Sequence, residues 1–316
     1  MSVNAPPALE FDRPVAPNGY AWWYVDALSA DGERGLTIIA MLGSVFSPYY
    51  ARARARGGAD PLNHCALNAV LYGQRARHWA MTERGRDSLH RSVSELHIGP
   101  SALIWQGGEL AISVNESTAP WRKRLQGLVR VKPCSLHDED FALDAAGRHH
   151  WRPIAPRCEV EVQFSAPAIH WRGSGYFDSN WGERALEHDF KSWTWSRLDA
   201  GEATTVLYDL EARDGDARSL ALGFDAAGAM RPIATPPQTA LPSTRWGIAR
   251  RLRADDPAAA RVESTLESAP FYARSVVSTQ LGGTRLRGMH ESLSLERFRA
   301  AWVQALLPVR APRAVR

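Results

Sequence analysis

The sequence predicts an all-β protein of antiparallel strands, of sandwich or barrel type, in two domains. Three observations carry this. The apolar stretches are short and bounded by Gly, Pro or Asp, glycine-containing turns of hairpin type join several of them, and a helical apolar period stands out only near the C-terminus. With 316 residues the chain can bury a substantial core, as one large domain or two smaller ones. A second series of strands late in the chain favours two.

Gly35 to Leu42, Ala66 to Tyr72, Ala102 to Trp105, Leu110 to Val114, Gly127 to Val131 and Glu159 to Phe164 each read as a strand. Gly107-Gly108 joins Ile104-Trp105 to the Leu110 strand as a hairpin would. Asp214-Gly215 divides Val206 to Glu211 from Ser219 to Phe224 in the same way. The second series begins at Thr204, after an aromatic block ending near Arg197, so the expected domains are residues 1–188 and 189–316. Leu295, Phe298, Trp302 and Leu306 recur at helical spacing behind Ser294 as N-cap. This predicts a C-terminal helix over Leu295 to Leu307, packed on the second domain and stopped by Pro308. The basic tail from Arg310 to Arg316 reads as loose.

The composition, 45% hydrophobic and 23% charged, is that of an ordinary globular protein. Cys65, Cys134 and Cys158 are too scattered for a disulfide framework or a structural zinc site. The net charge of +4 is modest, and no nucleic-acid partner is expected. Arg52, Arg54 and Arg56 beside Tyr49-Tyr50 read as a loop, either solvated or resting on anionic lipid. Met1 to Pro7 has neither a basic region nor an apolar run, so the expectation is a cytoplasmic protein with at most peripheral membrane contact. Phosphate-binding loop, dinucleotide fingerprint, Gly-x-Ser-x-Gly elbow and His-Glu-x-x-His are all missing, and no cofactor or metal is expected.

The segment Gly173-Ser-Gly-Tyr-Phe-Asp-Ser-Asn-Trp-Gly182 places one carboxyl, Asp178, among Tyr176, Phe177 and Trp181. Burial would keep such an acid protonated, and aromatic faces would stabilise a neighbouring cation, which suits acid-initiated chemistry on an alkene. On an extended chain Tyr176, Asp178 and Asn180 share one face, whereas Phe177 and Trp181 share the other. The catalytic reading makes Asp178 the acid, with Tyr176 and Asn180 orienting its proton or a water. The alternative is an Asx turn at Asp178 and Asn180, with Gly173, Gly175 and Gly182 serving bends. Trp22, Tyr24 and Asp26 also share a face. Asp26 is thus a second candidate acid, on an opposing wall, or merely a cap for the turn at Ser29 to Gly32. Of His149 and His150 at most one can share a pocket with the acid, the other being expected at the surface. The twelve Trp, including Trp193 and Trp195, either line an aromatic cavity or fill a β core.

Together Trp22-Trp-Tyr-Val-Asp26, Ile98-Gly-Pro-Ser101, His150-Trp-Arg-Pro-Ile-Ala-Pro156, Gly175-Tyr-Phe-Asp-Ser-Asn-Trp-Gly182, Trp193-Thr-Trp-Ser-Arg197 and Ala269-Pro-Phe-Tyr-Ala-Arg274 resemble the acyclic carotenoid 1,2-hydratases, also called hydroxyneurosporene synthases. The resemblance spans nearly the whole chain. It implies two lipocalin-like β domains in tandem and a cofactor-free hydro-lyase that adds water across the terminal C1=C2 bond of neurosporene or lycopene. It further implies Asp178, Tyr176, Asn180 and Trp151 as the catalytic group. Trp181, Trp171, Phe177, Trp22, Tyr24, Asp26, Trp193 and Trp195 would contact the carotene, which a peripheral enzyme would draw from a membrane. The same superfamily contains polyene cyclases and binding proteins, so a cyclase or isomerase and a non-catalytic isoprenoid carrier stand as alternatives.

Overall fold

The computed structural model describes Pro6, residues 8–73 and residues 77–314; the rest of the Met1 to Pro7 stretch and the end of the basic tail lie outside the described residues. The chain divides into two compact units. One comprises the chain through Ala185 together with the segment from Ala305 onward, and the other is Leu186–Gln304. The division therefore differs from 1–188 and 189–316 chiefly in that the last segment goes with the first unit.

The strands of the first unit are β1 (Tyr20–Ser29), β2 (Gly35–Leu42), β3 (Cys65–Tyr72), β4 (His78–Arg84), β5 (Leu89–Arg91), β6 (Glu95–Ile98), β7 (Ser101–Gln106), β8 (Glu109–Ser117), β9 (Arg124–Pro133), β10 (Phe141–Ala142), β11 (His149–Ala166) and β12 (Ala168–Gly182). They pair in the order β4-β3-β2-β1-β12-β11-β9-β8-β7-β6-β5, with β10 on β11. The sheet curls into a nearly closed barrel. Near the closure the Ala119 N–H, just past β8, donates to the Trp79 carbonyl of β4 at 3.1 Å. Every sequence-predicted strand is present, and Gly107 and Gly108, at φ 62° and 85°, make the β7–β8 turn.

The Gly173 segment is not a turn but the second half of β12, paired with β1 from Tyr20↔Gly182 to Ser29↔Gly173. Its glycines permit close approach rather than bending. A Cβ on Gly173 would lie 1.9 Å from the Leu28 carbonyl oxygen, and one on Gly175 would lie 2.6 Å from that of Asp26. The Ser29 to Gly32 turn is held by Asp31, whose Oδ1 accepts from Ser29 Oγ and from the Glu33 N–H, so Asp26 is not its cap. The arginine stretch expected as a loop is a helix, α1 (Pro48–Ala55), because Ser47 accepts from the Tyr49 and Tyr50 N–H groups at 3.1 Å and Pro48 suits the first turn.

In the second unit a short helix, α2 (Leu186–Asp189), leads into β13 (Phe190–Ala200), β14 (Ala203–Ala212), β15 (Ala217–Phe224), β16 (Met230–Pro232), β17 (Gln238–Leu241), β18 (Arg250–Arg253), β19 (Arg261–Ser268), β20 (Tyr272–Leu281) and β21 (Thr284–Ser294). Seven of these form one antiparallel sheet, β16-β15-β14-β13-β21-β20-β19, and β17 pairs with β18. Leu198, Leu207, Leu252 and Val277 belong to its apolar core. In the same unit His290 bridges Ser196 Oγ at 2.8 Å and Ser292 Oγ at 3.1 Å. Burial, then the Arg250 charge, brings the imidazole down from 6.5 to about 3. Between those values the unfolded chain binds a proton here that the folded chain refuses, so stability falls as pH drops through this window. The melting temperature is therefore expected to be lower at about pH 5 than at about pH 7.5, and His290→Gln should flatten that dependence. An unchanged slope in the variant would assign it to other groups.

The C-terminal helix departs from its expected form. Ser294 does cap it, accepting from the Arg297 N–H at 3.2 Å, but α3 ends after Leu295–Phe298 and α4 (Ala301–Arg310) follows. The break moves the buried positions to Leu295, Phe298, Val303 and Leu307, leaving Trp302 and Leu306 exposed. Pro308 does not stop α4. It sits in the last turn, where one N–H is forfeited and the Ala311 N–H still reaches the Leu307 carbonyl at 2.8 Å. The tail is not loose through Ala314: Glu83 N–H donates to the Pro312 carbonyl at 2.9 Å, and Ala314 N–H to the Glu83 carbonyl at 2.8 Å. No helix among the described residues is long and apolar enough to cross a membrane.

Candidate active site

In β1 all ten residues are buried, so both faces of this strand are covered. One face joins the apolar core with Trp23 and Val25, which share it with Phe177 of β12 and Leu67 of β3. The other face carries the polar aromatic set. The register places Tyr24 opposite Asp178, Asp26 opposite Tyr176, and Trp22 opposite Asn180, with Trp151 of β11 on the far side of Asn180. Period-two alternation thus delivers Trp22, Tyr24, Asp26, Trp151, Tyr176, Asp178 and Asn180 to one face. The β1 residues are lateral neighbours of the acid rather than its opposing wall.

Asp178 is 4% exposed. Its Oδ2 takes the Tyr176 hydroxyl at 2.8 Å and Trp151 Nε1 at 2.9 Å. Its Oδ1 takes a long 3.4 Å contact from Asn180 Nδ2. Tyr176 stays a phenol, its pKa pushed well above the usual range by burial, then by the Asp178 and Asp26 charges. The two Tyr-x-Asp units run in opposite directions on neighbouring strands, each tyrosine across from the other's aspartate. Tyr24 donates to Asp26 Oδ2 at 3.2 Å, and the two rings meet edge-on at 6.2 Å. Two buried atoms on this face have no partner among the described residues: Asn180 Oδ1, and the hydroxyl of Thr37, the residue paired with Asp26 on β2.

Beside the site β11 is bulged, with register shifts on both sides of Ala155. Pro153 and Pro156 explain them, since neither can donate to a ladder. The ladder is regular at Trp151↔Asn180 and irregular just beyond.

Phe177, Trp171 and Trp181 are set on the opposite face by the same alternation. Phe177 and Trp171 belong to the apolar core, and Trp181 packs against it. The Trp181 ring stacks on His150 at 5.3 Å and lies under the Arg13 guanidinium at 3.5 Å. These three rings therefore do not face the Asp178 carboxyl. Trp193 and Trp195 belong to β13 of the second unit, where Trp193 meets Phe190 and Tyr208 edge-on. Of the two histidines, His150 is the one away from the acid's face, and it is half-buried against Trp181 rather than at the surface. His149 takes the acid's face instead, fully buried, with Nδ1 3.0 Å from the Tyr20 hydroxyl. Neither Tyr20 nor Thr37 was singled out from sequence. Counting back by twos from Trp22 reaches Tyr20, whereas Thr37 gives no local signal because only the β1–β2 register brings it to Asp26.

Residues 38–316 match the family described as carotenoid hydratase CrtC. The chain is 53% identical to an acyclic carotenoid 1,2-hydratase of Thiocapsa roseopersicina, across 96% of this chain and 75% of that protein. It is 46% identical to an acyclic carotenoid 1,2-hydratase of Rubrivivax gelatinosus, across 97% of this chain and 76% of the other. In architecture it resembles the crystal structure of kievitone hydratase from Nectria haematococca, with a TM-score of 0.53 and 12% identity over 93% of this chain and 94% of that one, a likeness of fold alone. From its sequence, over nearly its whole length, the chain belongs to the carotenoid hydratase family.

Proposed function

We propose that this protein adds water across the terminal C1=C2 double bond of an acyclic carotene such as neurosporene or lycopene, giving a tertiary alcohol at C1, with Asp178 as the acid. The observation that carries the assignment is the setting of the Asp178 carboxyl, 4% exposed, held through Oδ2 and placed on the same face as Trp22, Tyr24 and Trp151. Oδ2 accepts from Tyr176 at 2.8 Å and from Trp151 at 2.9 Å, so the reactive proton is assigned to Oδ1, which takes the longer 3.4 Å contact from Asn180. Trp151 and Tyr176 thus orient the acid through the oxygen that does not react.

The Oδ1–H bond breaks as the alkene π pair forms a C2–H bond, and the positive charge falls on C1, the more substituted carbon. Trp22, Tyr24 and Trp151 occupy the acid's face, and each ring turned to C1 contributes about 0.5–2 kcal/mol. Trp181 and Trp171, also expected at the carotene, lie on the opposite face of the sheet. The Asp26 carboxyl adds negative charge to the acid's face and further stabilises the cation. A water held by the open Asn180 Oδ1 gives its lone pair to C1. Its surplus proton passes to the Asp178 carboxylate, which restores the acid. No electron is gained or lost, so the cycle closes without a redox partner.

Anaerobic incubation with detergent-dispersed lycopene and neurosporene in isotope-labelled water, followed by mass spectrometry, tests this. Label in a tertiary alcohol is the expected result. A product of unchanged mass would replace the reading with a cyclase or isomerase, and intact carotene recovered on folded protein would replace it with a carrier.

A further inference from the structure

Helix α4 reverses the usual pattern of a surface helix. Its solvent-facing positions are Ala301, Trp302, Ala305, Leu306 and Val309, with no polar side chain among them. Trp302 and Leu306 are each 47% exposed and Val309 57%. Spaced at i, i+4 and i+7, these three form one continuous ridge. Trp246, 44% exposed, stacks on Trp302 with ring centroids 6.2 Å apart. Its loop is fixed there by the Arg297 guanidinium, which donates to the Trp246 carbonyl. An ordered apolar ridge of this kind on a surface calls for a partner.

Charge indicates which partner. Arg245, next to Trp246, and Arg299, at the end of α3, are exposed, and neither is in an ion pair among the described residues. Indole rings beside aliphatic side chains and free guanidinium groups match the boundary between acyl chains and anionic headgroups. We infer that the α4 ridge with Trp246 is the surface by which this protein docks on an anionic lipid bilayer. The inference rests on the hydratase reading only for its purpose: a carotene dissolves in the bilayer, so an enzyme acting on it gains from resting there. The Arg52 region that the sequence offered for lipid contact fits less well, as does the basic tail, because Arg54 lies over the Tyr50 ring and Arg313 is bound to Glu83.

Flotation with phosphatidylcholine vesicles, with and without phosphatidylglycerol, tests the inference on the full chain. The wild type is expected to float with the anionic vesicles. Trp302→Glu combined with Leu306→Glu should lower the bound fraction at least about tenfold, and Arg245→Ser with Arg299→Ser should remove the preference for phosphatidylglycerol. These positions are exposed, so melting temperature and turnover of detergent-dispersed carotene should be unchanged. That turnover separates failure of docking from failure of the hydratase reading. Undiminished flotation of the double-glutamate variant would overturn the inference. So would a wild type that ignores vesicles but elutes as a dimer that the same variant dissociates, since the ridge would then be a contact between two copies.

Discussion

Asp178→Asn is expected to lower carotene hydration by about 10²–10⁴-fold while leaving the melting temperature close to that of the wild type. The amide has the shape of the carboxyl, and its carbonyl oxygen can occupy the place of Oδ2. There it still accepts from the Tyr176 hydroxyl and Trp151 Nε1, now held at 2.8 and 2.9 Å. Neither buried donor is orphaned, which is why the fold should tolerate the change. The amide nitrogen then takes the place of Oδ1, where the proton for C2 is needed, and an amide N–H does not protonate an alkene. Label incorporation from isotopic water and a thermal melt are read on the same preparation. Turnover within a few-fold of the wild type would remove Asp178 from the mechanism.

Arg313→Ala is expected to reduce the stability of the first unit by about 3 kcal/mol. Glu83 is fully buried, and its Oε1 accepts from the Arg313 guanidinium and lies 2.9 Å from His64 Nδ1. Its Oε2 is buried with no partner among the described residues, so the carboxyl is already poorly served. Without the guanidinium a buried charge is left to one imidazole, and the Asn63 carbonyl also loses its 3.0 Å contact with Arg313. Adding Glu83→Gln to the variant should recover part of the loss, because the charge that needed compensation is gone. Denaturant unfolding of the two single variants and the double variant measures this. A loss under about 0.5 kcal/mol for Arg313→Ala would mean that the pair behaves as an exposed bridge.

What the sequence made legible was local. Alternation within Tyr20–Ser29 and within Gly173–Gly182 correctly sorted Tyr176, Asp178 and Asn180 from Phe177 and Trp181, because a strand turns every second side chain the same way. It could not show that these two segments are neighbours, since pairing between strands so far apart leaves no periodic trace. Asp26 was therefore sent to an opposing wall, and bends were the one role weighed for the glycines, which instead make room for the β1 backbone. The C-terminal helix failed for another reason. Leu295, Phe298, Trp302 and Leu306 fit one helical period, but the break after Phe298 resets the phase, and two of the four end in solvent. The reading of the Arg52 region as a loop overlooked Ser47-Pro48, a cap and first turn that outweigh an unremarkable helix pattern.

The pairing of β1 with β12 also governs when the site comes into being. Tyr24 and Asp178 are partners in register although about 150 residues of chain lie between them. During synthesis the aromatic neighbours of the acid emerge early and the acid itself late, and closing so long a loop is slow. A nascent or half-folded chain thus holds Tyr24 and Asp26 without Asp178, their neighbour in the folded sheet. Under the proposed mechanism the acid joins its aromatic neighbours only with the strand that completes the β1 ladder, so a half-folded chain does not carry the assembled site.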